Sequence, residues 1–99
     1  MATVLVDAEN VRRSRWPNIP AGELSALTEA WGDAHGHDVV LVWEGAESAD
    51  DRIAHDVTEL EPPVWVVTSD RELRERVGGH AERVIGGGSF ARELVDQRE

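Results

Sequence analysis

The sequence contains no cysteine, no lysine and no tyrosine, and only one methionine and one phenylalanine. Without cysteine, disulfides, thiolate nucleophiles and cysteine-held zinc are all excluded. That usage suits a reducing compartment such as the cytosol, and a cytoplasmic location is expected. Long apolar runs are missing as well. No window approaches the roughly 18 consecutive apolar residues of a membrane span, so no membrane partner is expected. The opening Met1-Ala2-Thr3-Val4-Leu5-Val6-Asp7 lacks a basic segment and a cleavage site, and reads as a first strand rather than a leader. Positive charge is scarce: ten arginines face twenty carboxylates, for a net charge of -10. Non-specific binding of nucleic acid rests on neutralising phosphates, so a chain this acidic should hold bulk RNA or DNA poorly. The surplus charge favours solubility. It also leaves room for a cluster of carboxylates that awaits a cation.

What is present suffices for one compact domain over residues 1–99, since 40% of the chain is apolar. Thr3 to Val6 is a short β-branched run ending at Asp7 and predicts a buried strand. Asn10 to Gly22, with two prolines and Trp16, predicts a long loop. Glu23 to Ala34 carries apolar residues at 24, 27, 30 and 31, the spacing of a helix face, and Gly36 suits its stop. Val39 to Trp43 and Val64 to Val67 are further apolar runs, separated by a helical pattern from Ala49 to Leu60. Asp70 to Val77 predicts another helix, and Arg83 to Ile85 a fourth strand. Gly86-Gly87-Gly88 reads as a flexible connection into a last helix from Ser89 to Gln97. Strands alternating with helices imply an α/β fold, with a short parallel sheet of about four strands and right-handed crossovers.

The carboxylates follow this framework. Open parallel sheets build their sites at the carboxyl ends of the strands, where strand order reverses. Asp7 ends the first strand and Asp70 the third, while Asp50 and Asp51 open the helix after the second. If strands one and three are neighbours, all four converge on one small volume. Mg²⁺ and Mn²⁺ prefer carboxylate and water oxygens, and one or two such ions orient and acidify water for in-line attack on a phosphodiester. Simpler roles exist for each residue: Asp70 could cap the following helix, where Ser69-Asp70-Arg71-Glu72 fits a capping box as Ser48-Ala49-Asp50-Asp51 does, Asp51 suits a helix N-terminus, and Asp7 an Asx-turn. Asp50 and Asp51 lie about 100° apart around their helix, so one binds metal while the other caps or acts through water.

The same residues carry a family resemblance. Val4-Leu5-Val6-Asp7-Ala8-Glu9-Asn10 resembles the VDGxN opening of NYN domains, in particular the YacP-like branch of the PIN-like nucleases. Ser48-Ala49-Asp50-Asp51-Arg52-Ile53 resembles that group's ADDxI helix start, and Val66-Val67-Thr68-Ser69-Asp70-Arg71-Glu72-Leu73 its VVTSDxxL. The tail, from Val84-Ile85-Gly86 through Ser89-Phe90 to Glu93-Leu94, is similar to the closing strand and helix. The resemblance runs in order along nearly the whole chain. It implies a PIN-like three-layer α/β/α sandwich in which Asp7, Asp50 or Asp51, and Asp70 bind Mg²⁺ or Mn²⁺ for ribonuclease activity. It further implies that Asn10 orients a ligand or touches substrate. Ser89 approximates a polar position that completes some PIN-like sites, and is otherwise an N-cap. Two departures stand out: Ala8 replaces the usual glycine, and the longer segment of YacP-like proteins between Trp43 and Asp51 is missing.

Arginines bear on the charge problem. Arg12, Arg13 and Arg15 follow the first strand, Arg52 follows Asp51, and Arg71 and Arg74 follow Asp70, all near the acidic edge where phosphates would lie. The helical ones have a rival role in surface pairs with neighbouring Glu. Trp31, Trp43 and Trp65 fall on apolar positions expected in the core. Trp16 is expected to anchor its loop, with stacking on a base as the other reading. His35-Gly36-His37 is expected in a helix–strand turn remote from the acids. A dehalogenase-like phosphatase would need Asp where Glu9 stands, and a receiver domain a late lysine that this chain lacks. The leading expectation is a metal-dependent endoribonuclease acting on single-stranded or structured RNA, ribosome-associated RNA included, and leaving 5′-phosphate ends. The alternative is a degenerate module that binds RNA, a ribosome or a protein, a second copy included, without cutting.

Overall fold

The computed structural model of the protein describes residues 1–98; Glu99, the last residue of the expected domain, lies outside the described residues. In chain order the elements are β1 (Thr3–Asp7), α1 (Ala8–Arg13), α2 (Ala21–His35), β2 (Asp38–Val42), α3 (Ala49–Glu59), β3 (Val64–Val67), α4 (Arg71–Val77), β4 (Arg83–Ile85) and α5 (Gly87–Gln97). The strands form one parallel sheet in the order β2-β1-β3-β4. Thr3 sits beside both Asp38 and Val64, which brings the ends of the three longest strands level.

Successive side chains of a strand point to opposite faces, and a parallel sheet covered on both faces has apolar residues in each direction. Val4 and Val6 face one core with Val67, under α1, α2 and α5, where Val11, Leu24, Trp31, Phe90 and Leu94 are buried. Leu5, Val64 and Val66 face the other, under α3 and α4, against Ile53, Val57, Leu73 and Val77. The result is the PIN-like three-layer sandwich, helices on both faces of four parallel strands.

Connections from β1 to β2 use the first face, and those from β2 to β3 pass over β1 on the second. Strand order therefore reverses between β1 and β3, which are hydrogen-bonded neighbours. That reversal opens a crevice at the carboxyl ends of these strands. His35 and His37 lie at the opposite edge. There Gly36 turns α2 into β2 at φ 73°, a left-handed conformation suited to glycine, and His37 Nδ1 accepts from the Ala2 amide at 2.9 Å.

Several expectations need correction. The loop predicted over 10–22 begins too early, because α1 occupies Ala8–Arg13. Ala8 and Val11 are buried at helical spacing and Glu9 pairs with Arg12 and Arg13 one turn on, so the helix ends only before the prolines. The glycine run is no flexible link: Gly87 and Gly88 form the first turn of α5, and the Gly86 carbonyl accepts from Phe90 N at 3.0 Å. Ser89 is consequently inside the first turn, not at the N-cap. Trp16 anchors nothing, being 89% exposed. Trp31 is buried as expected, whereas Trp43 and Trp65 are only half-buried, with the Arg83 guanidinium 4.4 Å over the Trp65 ring.

At the start of α3 the Ser48 hydroxyl accepts from Asp51 N at 3.1 Å, satisfying one of the free amides of the first turn. Ser48→Ala is expected to cost about 1 kcal/mol by urea denaturation, with Ser48→Gly nearer to wild type.

Candidate active site

Each of the three longest strands leads to an acid. β1 finishes on Asp7, Glu44 stands two residues past β2, and Asp70 three past β3. These three and Asp50, in the first turn of α3, line one open cleft of about 630 Å³ over the strand reversal. Glu9, Asn10 and Arg13 of α1 form its other wall. A separate hollow between α2 and β2, about 480 Å³, lies away from this convergence of acids.

Asp7 is the anchor. It is only 6% exposed, and Thr68 Oγ1 donates to its Oδ2 at 2.9 Å. Thr68 is fully buried and also accepts from the Asp70 amide at 3.1 Å, so a single hydroxyl joins the ends of β1 and β3. Burial pushes the Asp7 carboxyl above its usual range; the Thr68 hydrogen bond opposes this, and the charges of Asp50 and Glu44 add to the rise. Asp50 is raised too, first by burial and then by Asp70 and Glu44, with Arg76 pulling the other way. Neighbouring carboxylates thus add to the effect of burial at both Asp7 and Asp50.

Asp51 behaves differently. It is held below its usual range by the Arg76 guanidinium, 3.0 Å away, and by the Ser48 hydroxyl. It faces α4 and does not line the cleft. Asp70 caps α4, its Oδ1 accepting from Leu73 N at 3.0 Å, and the residue also lines the cleft. Capping and a place in the cleft thus coexist.

The polar positions divide similarly. Asn10 Oδ1 accepts from Ser69 N at 2.9 Å, and Ser69 Oγ accepts from Gly87 N at 2.7 Å, so α1, the β3–α4 loop and α5 are tied together beside the acids. Arg13 lines the cleft and pairs with Glu9 at 2.8 Å. Arg12 is turned toward the following loop, with Nε donating to Ile19 O at 3.1 Å. Arg15 lies beside exposed Trp16, Arg52 pairs with Asp56 at 3.5 Å, and Ser89 is exposed on α5; none of these lines the cleft. Arg71 lines an adjoining hollow.

Two residues of the site escaped the sequence reading. Glu44 was legible in principle, since an acid directly after a predicted strand is the same signal that marks Asp7 and Asp70. Its Oε1 also accepts from Ala49 N at 3.2 Å and so fixes the loop into α3. Thr68 gave no comparable signal, because threonine is common in strands.

The donor set suits a hard divalent cation. Burial and neighbouring carboxylates raise Asp7 and Asp50, a cost that a cation would relieve, and Mg²⁺ typically takes one or two carboxylates and keeps several waters. Among the described residues no group of three or more His, Asp or Glu side chains is arranged to hold an ion directly, so Asp7 and Asp50 would ligate with water completing the shell.

No protein-family model matches the chain, and no curated protein matches it by sequence. Among solved structures it is similar to a point variant of Rae1 (YacP) from Bacillus subtilis. The TM-score is 0.75 at 20% identity, over 99% of this chain and 79% of the other. The two share a fold. Rae1 (YacP) thus has the same arrangement of strands and helices on which the acidic cleft stands here, at an identity that speaks for architecture alone. Among the described residues no helix is long and apolar enough to cross a membrane.

Proposed function

We propose that the chain is a Mg²⁺- or Mn²⁺-dependent endoribonuclease whose cleft holds Asp7, Glu44, Asp50 and Asp70. The observation that carries this reading is the convergence of Asp7, Glu44, Asp50 and Asp70 on one open cleft at the strand reversal, where burial first and neighbouring carboxylates next raise both Asp7 and Asp50. The NYN-like motifs and the fold shared with Rae1 (YacP) support it from two directions. When bound, the cation neutralises charge on the phosphate and acidifies water for in-line attack on phosphorus. Asp7 and Asp50 hold it, Thr68 keeps Asp7 oriented, and Asn10 fixes the loop that presents Asp70. Arg13, at the cleft wall, is the arginine placed to meet the scissile phosphate; Arg12, Arg15, Arg52 and Ser89 have no part in this reading.

The test is incubation of purified protein with single-stranded RNA and Mn²⁺ or Mg²⁺, with end analysis for 5′-phosphates. Absence of cleavage with either ion would sink the proposal. Asp50→Asn is expected to lower the rate on the order of 100-fold or more, whereas Asp51→Asn, outside the cleft, should leave it within about threefold. Equal losses in the two variants would mean that the helix start, not the Asp50 carboxylate, matters.

One observation favours a second reading, an RNA-, ribosome- or protein-binding module without cleavage: the acids form no ready-made cage among the described residues. Titration calorimetry separates the two, since a module of this kind takes up no Mn²⁺ and the nuclease does so in an Asp7- and Asp50-dependent way.

A further inference from the structure

Beside the acidic cleft lies a second hollow of about 620 Å³, lined by Ser69, Arg71, Arg74 and Glu75. Ser69 lines both. Arginines in this chain are mostly occupied: Arg12, Arg13, Arg52, Arg76 and Arg98 form ion pairs, and Arg83 lies over Trp65. Arg71 and Arg74 are exposed on one face of α4 and, among the described residues, form no ion pair, although the sequence supplies twenty carboxylates. Arg74 is steadied by Nη1 donating to Thr68 O at 3.5 Å. The Ser69 hydroxyl accepts from Gly87 N, and its own hydrogen meets no acceptor among the described residues. Two guanidinium groups and a free hydroxyl donor against one carboxylate, Glu75, make a locally positive, donor-rich hollow on an acidic protein.

The geometry points to a phosphate-binding subsite at Ser69, Arg71 and Arg74 that takes the backbone phosphate next to the scissile one in a single strand of RNA. This deepens the nuclease reading and rests on it for the identity of the strand. Guanidinium groups recognise phosphate oxygens through paired N–H donors. Because Ser69 borders both hollows, a strand seated in the subsite continues directly into the cleft at Asp70. The arrangement also resolves the charge problem: the total repels bulk nucleic acid, while a short positive step admits one strand in one place. The direct contact is electrostatic, so it should govern affinity and leave the chemical step alone.

Anisotropy with a short fluorescein-labelled single-stranded oligoribonucleotide tests this on an Asp50→Asn background in EDTA, where the strand stays intact. Each phosphate contact on a single strand contributes roughly 0.7 to the slope of log K against log salt. Arg71→Ala with Arg74→Ala, which together hold one phosphate, should therefore lower that slope by about 0.7. Arg71→Lys with Arg74→Lys should retain most of it, and Arg92→Ala, an exposed arginine on α5, should not change it. In the cleaving protein the double alanine variant should raise KM with kcat nearly unchanged. A slope and KM equal to those of Arg92→Ala, in a protein that still cuts RNA, overturn the subsite and leave the nuclease standing. The expected slope change in a protein that cuts nothing upholds the subsite and overturns the nuclease. No binding of the oligonucleotide at low salt overturns the subsite outright.

Discussion

Replacing Asp7 by asparagine is expected to remove RNA cleavage while making the metal-free protein more stable at neutral pH. The two effects share one cause. Burial and the charges of Asp50 and Glu44 raise the Asp7 carboxyl, so the folded protein holds that proton more tightly than the unfolded chain does. Between the unfolded value of 3.8 and the raised folded one, the native state binds more protons. Stability therefore falls as pH rises through that window, and above it the penalty is fully present. Asparagine removes the charge and keeps an oxygen for Thr68 Oγ1 to donate to. Each kcal/mol recovered raises Tm by about 4–8 °C in a chain of this size. Wild type should gain from divalent metal instead, about 2.7 kcal/mol at a hundredfold excess over Kd, and the variant should gain much less. Cleavage should fall at least about 100-fold, beyond what loss of an outer-shell partner typically costs. Calorimetric scans at pH 7 and pH 5, with EDTA or Mn²⁺, check the stability half. A lower Tm for the variant in EDTA would make Asp7 a structural residue, and persistent cleavage would remove it from the reaction.

That coupling was legible in the sequence only in part. Asp7 and Asp70 announce themselves because aspartate is a poor choice at the end of an apolar strand, and the parallel order places such ends together. The alternation of apolar runs and helical spacing yielded all four strands and four of the five helices. What it missed depends on contacts distant in sequence. Whether Asp50 or Asp51 enters the cleft is decided by Arg76, a residue of another helix, which holds Asp51 outside. The role of Thr68 requires Asp7 across the sheet, at a separation of 61 residues. Helix α1 was obscured by the prolines that follow it. Its own first turn begins on the residue after a strand, where local pattern offers no gap between the two periods.

The glycine run illustrates the same limit and yields the sharpest structural expectation. A Cβ on Gly87 would stand 2.3 Å from Asn10 Oδ1 and 3.2 Å from Ser69 Oγ. Alanine at a helix start ordinarily helps, by up to about 1 kcal/mol relative to glycine. Here the asparagine must rotate away, giving up its hydrogen bond to Ser69 N, and the crowding around Ser69 adds an overpacking cost of about 1–3 kcal/mol. The steric cost wins, and Gly87→Ala is expected to lower stability by about 1–2 kcal/mol. Freed from Asn10, the loop carrying Ser69 and Asp70 shifts, and displacement of a site by about an ångström costs up to 10²-fold in rate; a loss of about tenfold in cleavage is expected. Asn10→Ala alone should also weaken the protein, by removing the same bond. In the double variant the Cβ finds the space that Asn10 vacates, so the losses should fall short of additive by a coupling of at least about 0.5 kcal/mol. Denaturant unfolding of the four proteins measures that coupling. Strict additivity would show that Asn10 and Gly87 act independently, and that the tie between α1, the β3–α4 loop and α5 does not hold the acidic cleft in shape.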